Sequence, residues 1–212
     1  MLIASWNINS IRVRLPQVLQ WMESAHPDVL ALQETKTTDD VFPSQALQDA
    51  GYHVIYSGQK TYNGVALLSR DPPSQVVTDL SSLDDPQRRI IAATVGDLRI
   101  YNVYVPNGQA VGTDKFEYKL RWLAALRDQL TRELEDHSRV LVVGDVMLVT
   151  AGIDTAKGKQ VRVHTAGAAQ PVNTEFVQCR GIADQHVGQH QRCLHLVFHR
   201  LGLGRRQLRA QM

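Results

Sequence analysis

Apolar positions in the first 145 residues fall into two textures: short unbroken runs, and longer stretches in which they recur at helical spacing. Leu2, Ile3, Ala4 and Trp6 form a short run that reads as a strand ending at Asn7. Val18, Leu19 and Met22 then follow at helical spacing, with Pro16 placed in a first helical turn and Pro27 as the stop. A second run, Val29 to Leu32, ends in Gln33 and Glu34, and a short amphipathic helix over 43–50 closes at Gly51. From residue 52 short strands dominate: His53 to Tyr56, Gly64 to Ser69, Arg89 to Val95 and Leu98 to Val105. Gly96-Asp97 joins the last two as a hairpin turn, because glycine supplies the positive φ such turns need. Asp114, with Glu117 three residues on, predicts a helix start, and Phe116, Leu120, Leu123, Leu130 and Leu134 carry that helix to about His137. Arg139 to Asp145 reads as a central strand buried on both faces. Helices interleaved with parallel and antiparallel strands predict an α/β (α+β) layered domain.

After Asp145 the periodicity fades, with at most one short strand around Val161 and no second-layer pattern in the final stretch. Charge divides the chain at nearly the same place. Residues 1–150 hold 14 Lys and Arg against 18 Asp and Glu, a net of −4, whereas residues 151–212 hold 9 against 3, a net of +6. The basic segment also carries five of the eight histidines and both cysteines, Cys179 and Cys193. The composition, 43% hydrophobic and 21% charged over 212 residues, excludes fibrous and disordered classes. Apolar runs of about four residues are far short of the ~20 that span a bilayer, and the N-terminus lacks a secretory pattern. The expectation is a cytoplasmic protein with no membrane contact and no disulfide framework.

Four polar side chains stand where apolar strand runs end: Asn7, Glu34, Tyr104 and Asp145. Ligand sites in layered α/β folds gather at such ends, where loops present side chains that the strands hold rigidly. Two carboxylates and an amide suit a hard cation such as Mg²⁺, which takes one or two carboxylates and shares its remaining positions with water or phosphate oxygens. Each residue alone reads more readily as the start of a solvated loop.

The strings NINSIR (Asn7 to Arg12), PDVLALQETK (Pro27 to Lys36), NGVALLS (Asn63 to Ser69), QRRII (Gln87 to Ile91), YNVYVPNG (Tyr101 to Gly108) and LVVGD (Leu141 to Asp145) stand in the order and at the spacings of one known family. Over residues 1 to about 145 the chain resembles the exonuclease III family of DNA-repair nucleases, within the endonuclease/exonuclease/phosphatase superfamily. The resemblance implies a four-layer sandwich, two mixed β-sheets flanked by helices, with the second half incomplete in this chain. It implies Mg²⁺- or Mn²⁺-dependent hydrolysis of phosphodiesters in double-stranded DNA, at abasic sites and 3′ ends, by a monomer. By that likeness Glu34, Asn7 and Asp145 hold the metal with support from Asn9, while Tyr104 contacts the phosphate and Asp145 activates water. Arg88, Arg89 and Asn107 are the DNA- and phosphate-binding candidates. Lys36 and Lys60 are expected to be solvated. YNVYVPNG and QRRII argue against a small-molecule phosphodiesterase.

The likeness stops after Asp145. The family continues Gly-Asp-x-Asn where this chain has Val146-Met147, and neither the family's later Ile-Asp strand motif nor a Ser-Asp-His segment is found toward the C-terminus. The expected organisation is a nuclease domain over 1–147 and a divergent basic tail over 148–212, disordered or read in a shifted frame. A lost His-Asp pair and donor lead to the expectation of impaired cleavage, with a non-catalytic, at most DNA-binding, remnant as the alternative. A half-sandwich is also expected to leave the inner face of its first sheet exposed. A competing reading of the tail is the string His186-x₃-His190-x₂-Cys193-x-His195-x₃-His199 as a zinc site.

Overall fold

The computed structural model describes residues 1–145 together with the strands Asn173–Val177 and His195–His199. In chain order the elements are β1 (Ile3–Asn7), α1 (Ile11–Ala25), β2 (Val29–Gln33), α2 (Ser44–Asp49), β3 (His53–Ser57), β4 (Val65–Ser69), β5 (Ser74–Val77), β6 (Ile90–Val95), β7 (Leu98–Tyr104), α3 (Asp114–Asp136), β8 (Arg139–Asp145), β9 (Asn173–Val177) and β10 (His195–His199). A 3₁₀ turn covers Asp39–Val41. The first sheet runs β1-β2-β4-β3 and the second β5-β6-β7-β8-β10-β9. Both are mixed, since β1–β2 and β7–β8 pair parallel while β2–β4 and β6–β7 pair antiparallel.

Strand alternation sorts the core into three clusters and hence four layers. Leu30, Leu32, Ala66 and Leu68 face outward onto α1 and α2, meeting Val18, Met22 and Leu47. Val29, Ala31, Val65 and Leu67 face the other way and pack on Ile91, Ala93, Val95, Ile100, Leu141 and Val143 of the second sheet. The far face of that sheet, Ala92, Tyr101, Val103, Val140 and Val142, packs on Trp122, Ala125 and Leu126 of α3. The expected exposure of the first sheet's inner face is therefore wrong: β6, β7 and β8 already supply its covering layer, and every residue of β2 and β4 is buried. Two buried amides tie the sheets together. Asn102 Nδ2 donates to the carbonyls of Leu32 (2.9 Å) and Ala66 (2.8 Å), and its Oδ1 accepts from Gln33 Nε2 at 2.7 Å.

Several local expectations shift. Helix α1 begins at Ile11, so Pro16 lies inside the helix rather than in its first turn. Helix α3 is capped by Thr113, whose side chain accepts from the Phe116 N–H, one residue before the expected Asp114. The Gly96-Asp97 hairpin is present, with Val95 opposite Leu98 and Gly96 at φ 61°. Strands β5, β9 and β10 were not expected. Each is four or five residues long, and pairing rather than periodicity defines it: β10 lies antiparallel on β8, and β9 on β10. Beyond these two strands, the assignment of 148–212 as a tail, the strand near Val161, Met147 and the His/Cys string lie outside the described residues.

Helix α3 is anchored by a polar network as well as by packing. Arg99, 2% exposed, makes a forked bond to Glu133 at 2.9 Å on each arm. Tyr101 OH donates to Glu133 Oε1 at 2.5 Å, and burial raises its phenol pKa to about 12. Removing one partner of a buried pair leaves the other desolvated and unpaired, at a cost of about 3–5 kcal/mol. Glu133→Ala is therefore expected to destabilise the protein by about 3 kcal/mol or more in urea unfolding; a loss below about 1 kcal/mol would show that the network adds little.

Candidate functional site

The C-terminal ends of β1, β2, β7 and β8 meet at one rim of the sandwich. Odd positions of β1 and β8 and even positions of β7 face the gap between sheets, so the last such residues, Asn7, Tyr104 and Asp145, reach the rim pointing into it. Glu34 gets there differently. Continued alternation would turn it toward α1 with Leu30 and Leu32, but it follows the last strand residue at φ 54°, a left-handed conformation that breaks the alternation. Asn7 of β1, Tyr104 of β7 and Lys36 two residues on hold it there.

Asn7 Nδ2 donates to Glu34 Oε1 and to Asp145 Oδ2, both at 2.8 Å, so one amide bridges two carboxylates 111 positions apart in sequence (145 − 34). The Asn7 Oδ1 accepts from the Asn9 N–H at 3.1 Å, which fixes the amide's orientation. Tyr104 OH also donates to Glu34 Oε1, at 2.9 Å. Lys36 is not simply solvated: its Nζ lies 2.8 Å from Glu34 Oε2 and bonds Asn9 Oδ1, with its side chain only 27% exposed. Asp145 is held from behind as well, because the Val105 N–H donates to its carbonyl at 3.0 Å.

The two carboxylates shift in opposite directions from their ordinary values. Burial raises Glu34, but hydrogen bonds from Asn7, Lys36 and Tyr104 outweigh it and leave its pKa below the ordinary 4.5. Burial also raises Asp145; the Asn7 bond offsets this in part, the Glu34 charge adds to it, and the net is above the ordinary 3.8. Burial and the adjacent Glu34 charge drive the Tyr104 phenol far above its usual range, so it stays a neutral donor.

A stability consequence follows for the metal-free protein. A carboxyl whose folded pKa is raised favours folding below its unfolded value, and that contribution is lost as pH rises through the folded value, so ionised Asp145 burdens the fold at neutral pH. Asp145→Asn, which mimics the neutral form, is expected to raise Tm at pH 7 and to lose that advantage below about pH 3.8, where Asp145 is protonated folded and unfolded alike. Equal Tm values at pH 7 would contradict this. Glu34 has the opposite sign: its contribution is present above 4.5 and is lost as pH falls through its lower folded value.

Of the remaining candidates, Arg89 is at the site, with its guanidinium carbon 4.9 Å from the Tyr104 ring centroid. Arg88 is half-buried and pairs with Asp79 at 3.0 Å. Asn107 is exposed just beyond Val105, and its Oδ1 accepts from the Gln109 N–H. Lys60 is exposed. The inter-sheet clamp of Gln33 and Asn102 was missed, although an amide inside the apolar run Leu98 to Val105 was the signal for it.

Among the described residues there is no group of three or more His, Cys, Asp or Glu that could hold a metal ion. The donor set still fits a hard divalent cation: two carboxylates share one amide, one has its pKa raised partly by the other's charge, and Lys36 pairs with Glu34 and not with Asp145. No helix among the described residues is long and apolar enough to cross a membrane.

Residues 4–146 match the Endonuclease/Exonuclease/phosphatase family. The chain is similar to Exodeoxyribonuclease III of Haemophilus influenzae, with 34% identity over 164 residues, covering 74% of this chain and 61% of that protein. Among solved structures it is similar to the 3′ phosphatase NExo from Neisseria bound to a product DNA hairpin, with 49% identity and a TM-score of 0.66 over 68% of this chain and 56% of that one. It is also similar to an AP endonuclease from Archaeoglobus fulgidus, with 39% identity and a TM-score of 0.65 over 68% and 57% of the two chains. The chain thus spans somewhat over half the length of these relatives.

Proposed function

Because this chain belongs to the endonuclease/exonuclease/phosphatase family, in its exonuclease III branch, we propose that it is a divalent-metal-dependent nuclease acting on double-stranded DNA at abasic sites and 3′ ends, with reduced turnover. The observation that carries this reading is the single Asn7 amide bonded to both Glu34 and Asp145 beside the Tyr104 hydroxyl. Glu34 and Asp145 would hold the cation, with Asn7 setting their separation. When bound, Mg²⁺ or Mn²⁺ neutralises phosphate charge and stabilises the leaving oxygen. Asp145, whose pKa burial raises, would take the proton of the attacking water. Tyr104, held neutral, would turn its one hydroxyl proton from Glu34 to a phosphate oxygen and so orient the scissile group. Arg88, on exchanging its Asp79 partner, and the exposed Asn107 would contact phosphates along the duplex.

Reduced turnover rests on sequence: no Ser-Asp-His segment follows Asp145, and a positioned acid-base group contributes about 10²–10⁴ in rate. The test is incision of a duplex carrying one abasic site or a 3′ phosphate, with Mg²⁺, Mn²⁺ or EDTA. Slow, EDTA-sensitive cleavage supports the proposal. Salt-sensitive DNA binding without any cleavage supports the alternative, a non-catalytic remnant, and neither binding nor cleavage removes both.

A further inference from the structure

Arg88 and Arg89 are interchangeable in the sequence, but the fold separates them. Arg88 turns outward to Asp79, and its backbone N–H donates to Gln59 Oε1 at 3.2 Å. Arg89 turns inward. Its guanidinium lies over the Tyr104 ring, its Nη1 donates to the Tyr104 carbonyl at 3.2 Å, and its Nε donates to Gln87 Oε1 at 2.9 Å. The backbone closes the same pair, with the Tyr104 N–H donating to the Arg89 carbonyl at 2.7 Å. Gln87 is fixed in turn: its Oε1 accepts from Asn63 Nδ2 at 3.2 Å, and its N–H donates to Asp85 Oδ1 at 3.0 Å. The Tyr118 hydroxyl of α3 donates to the other oxygen of Asp85 at 2.6 Å. The guanidinium therefore sits in a lattice drawn from the loop before β4, the loop before β6, and α3. It grips Tyr104 at two points, while the phenol's far end reaches Glu34.

We propose that Arg89 is a positioning residue that acts on DNA cleavage through Tyr104, and not a phosphate ligand. This rests on the nuclease reading above. A tyrosine swings between staggered χ1 wells unless it is held, and such a swing would carry its hydroxyl away from the site. A planar guanidinium is suited to holding it, because its face is attracted to the ring and its edge carries directed donors. Lysine keeps the charge but offers neither the plane nor the fork.

The test uses the full chain carrying Arg89→Met, Arg89→Lys, Tyr104→Phe and the Arg89→Met/Tyr104→Phe pair. Misplacing a reacting group by about 1 Å costs about 10²-fold, so Arg89→Met is expected to lower kcat by about 10- to 100-fold with KM within about twofold. It should add no further loss in the Tyr104→Phe background. Arg89→Lys should resemble Arg89→Met, and the salt dependence of duplex binding should keep its wild-type slope. In ¹³C-tyrosine-labelled protein the Tyr104 ring resonance, assigned with Tyr104→Phe, should move in both Arg89 variants. A phosphate contact predicts the reverse: a raised KM, a salt slope smaller by about one, rescue by lysine, a loss that persists without the Tyr104 hydroxyl, and an unmoved Tyr104 resonance. Any of these outcomes overturns the proposal. Should the wild-type chain cleave no DNA, the nuclease reading fails, while the resonance and the salt slope still decide the role of Arg89. If Arg89→Met does not fold, Arg89→Lys carries the same readouts.

Discussion

Glu34→Gln is expected to abolish divalent-metal binding at the rim and to reduce cleavage of abasic duplex DNA by at least about 10²–10³-fold, the scale for removing one preorganised electrostatic group. The size follows from how much converges on this carboxylate. Its Oε1 accepts from Asn7 and Tyr104, its Oε2 from Lys36, and those bonds hold its pKa below the ordinary 4.5, so it is charged at neutral pH. The glutamine amide preserves shape but removes the charge, and its NH₂ faces donors on at least one side, so the Asn7 bridge to Asp145 is disturbed as well. Mn²⁺ titration by calorimetry and single-turnover cleavage, measured on the same preparation, separate the consequences. Loss of both is the expected result. Metal binding and cleavage at wild-type levels in Glu34→Gln would remove Glu34 from the site, and with it the proposed chemistry.

Gly144→Ala should be the most damaging single methyl group in the described part of the molecule, costing about 4 kcal/mol or more in urea unfolding. Gly144 sits at φ 136°, where side-chain-bearing residues are strained, and a Cβ built there would lie 1.9 Å from the Val103 carbonyl oxygen. That contact is with backbone, and it is in the parallel β7–β8 ladder that pairs Val103 with Gly144 and Tyr104 with Asp145. Relief therefore requires the two central strands to part where they carry the candidate site, so the substitution should lower cleavage together with stability. Against a total of about 5–15 kcal/mol for a domain, such a loss approaches unfolding. A change under about 1 kcal/mol would mean that the close approach of β7 and β8 is not required.

Most of the layered fold was legible because its signals are local. Unbroken apolar runs at Val29 to Leu32 and Arg139 to Asp145 mark strands covered on both faces, and the Gly-Asp turn fixes the β6–β7 hairpin. The polar residues ending those runs were also legible as rim candidates. Less was visible where context overrides local preference. Pro16 reads as a first-turn residue, yet Asn9 and Ser10, both at positive φ, start the helix earlier. Lys36 reads as a surface lysine until Glu34 is placed beside it.

The sequence by itself determined which residues end the strands and which family they belong to, because periodicity and motif order are properties of a line. Tertiary structure alone decided that Asn7 and Asp145 meet at one amide, that Glu34 leaves the strand alternation to join them, and that Arg89 faces Tyr104 while Arg88 faces water. Those outcomes depend on the stacking and register of two sheets, which bring together residues more than a hundred positions apart. No local preference encodes that distance; it exists only once the inter-sheet core has closed.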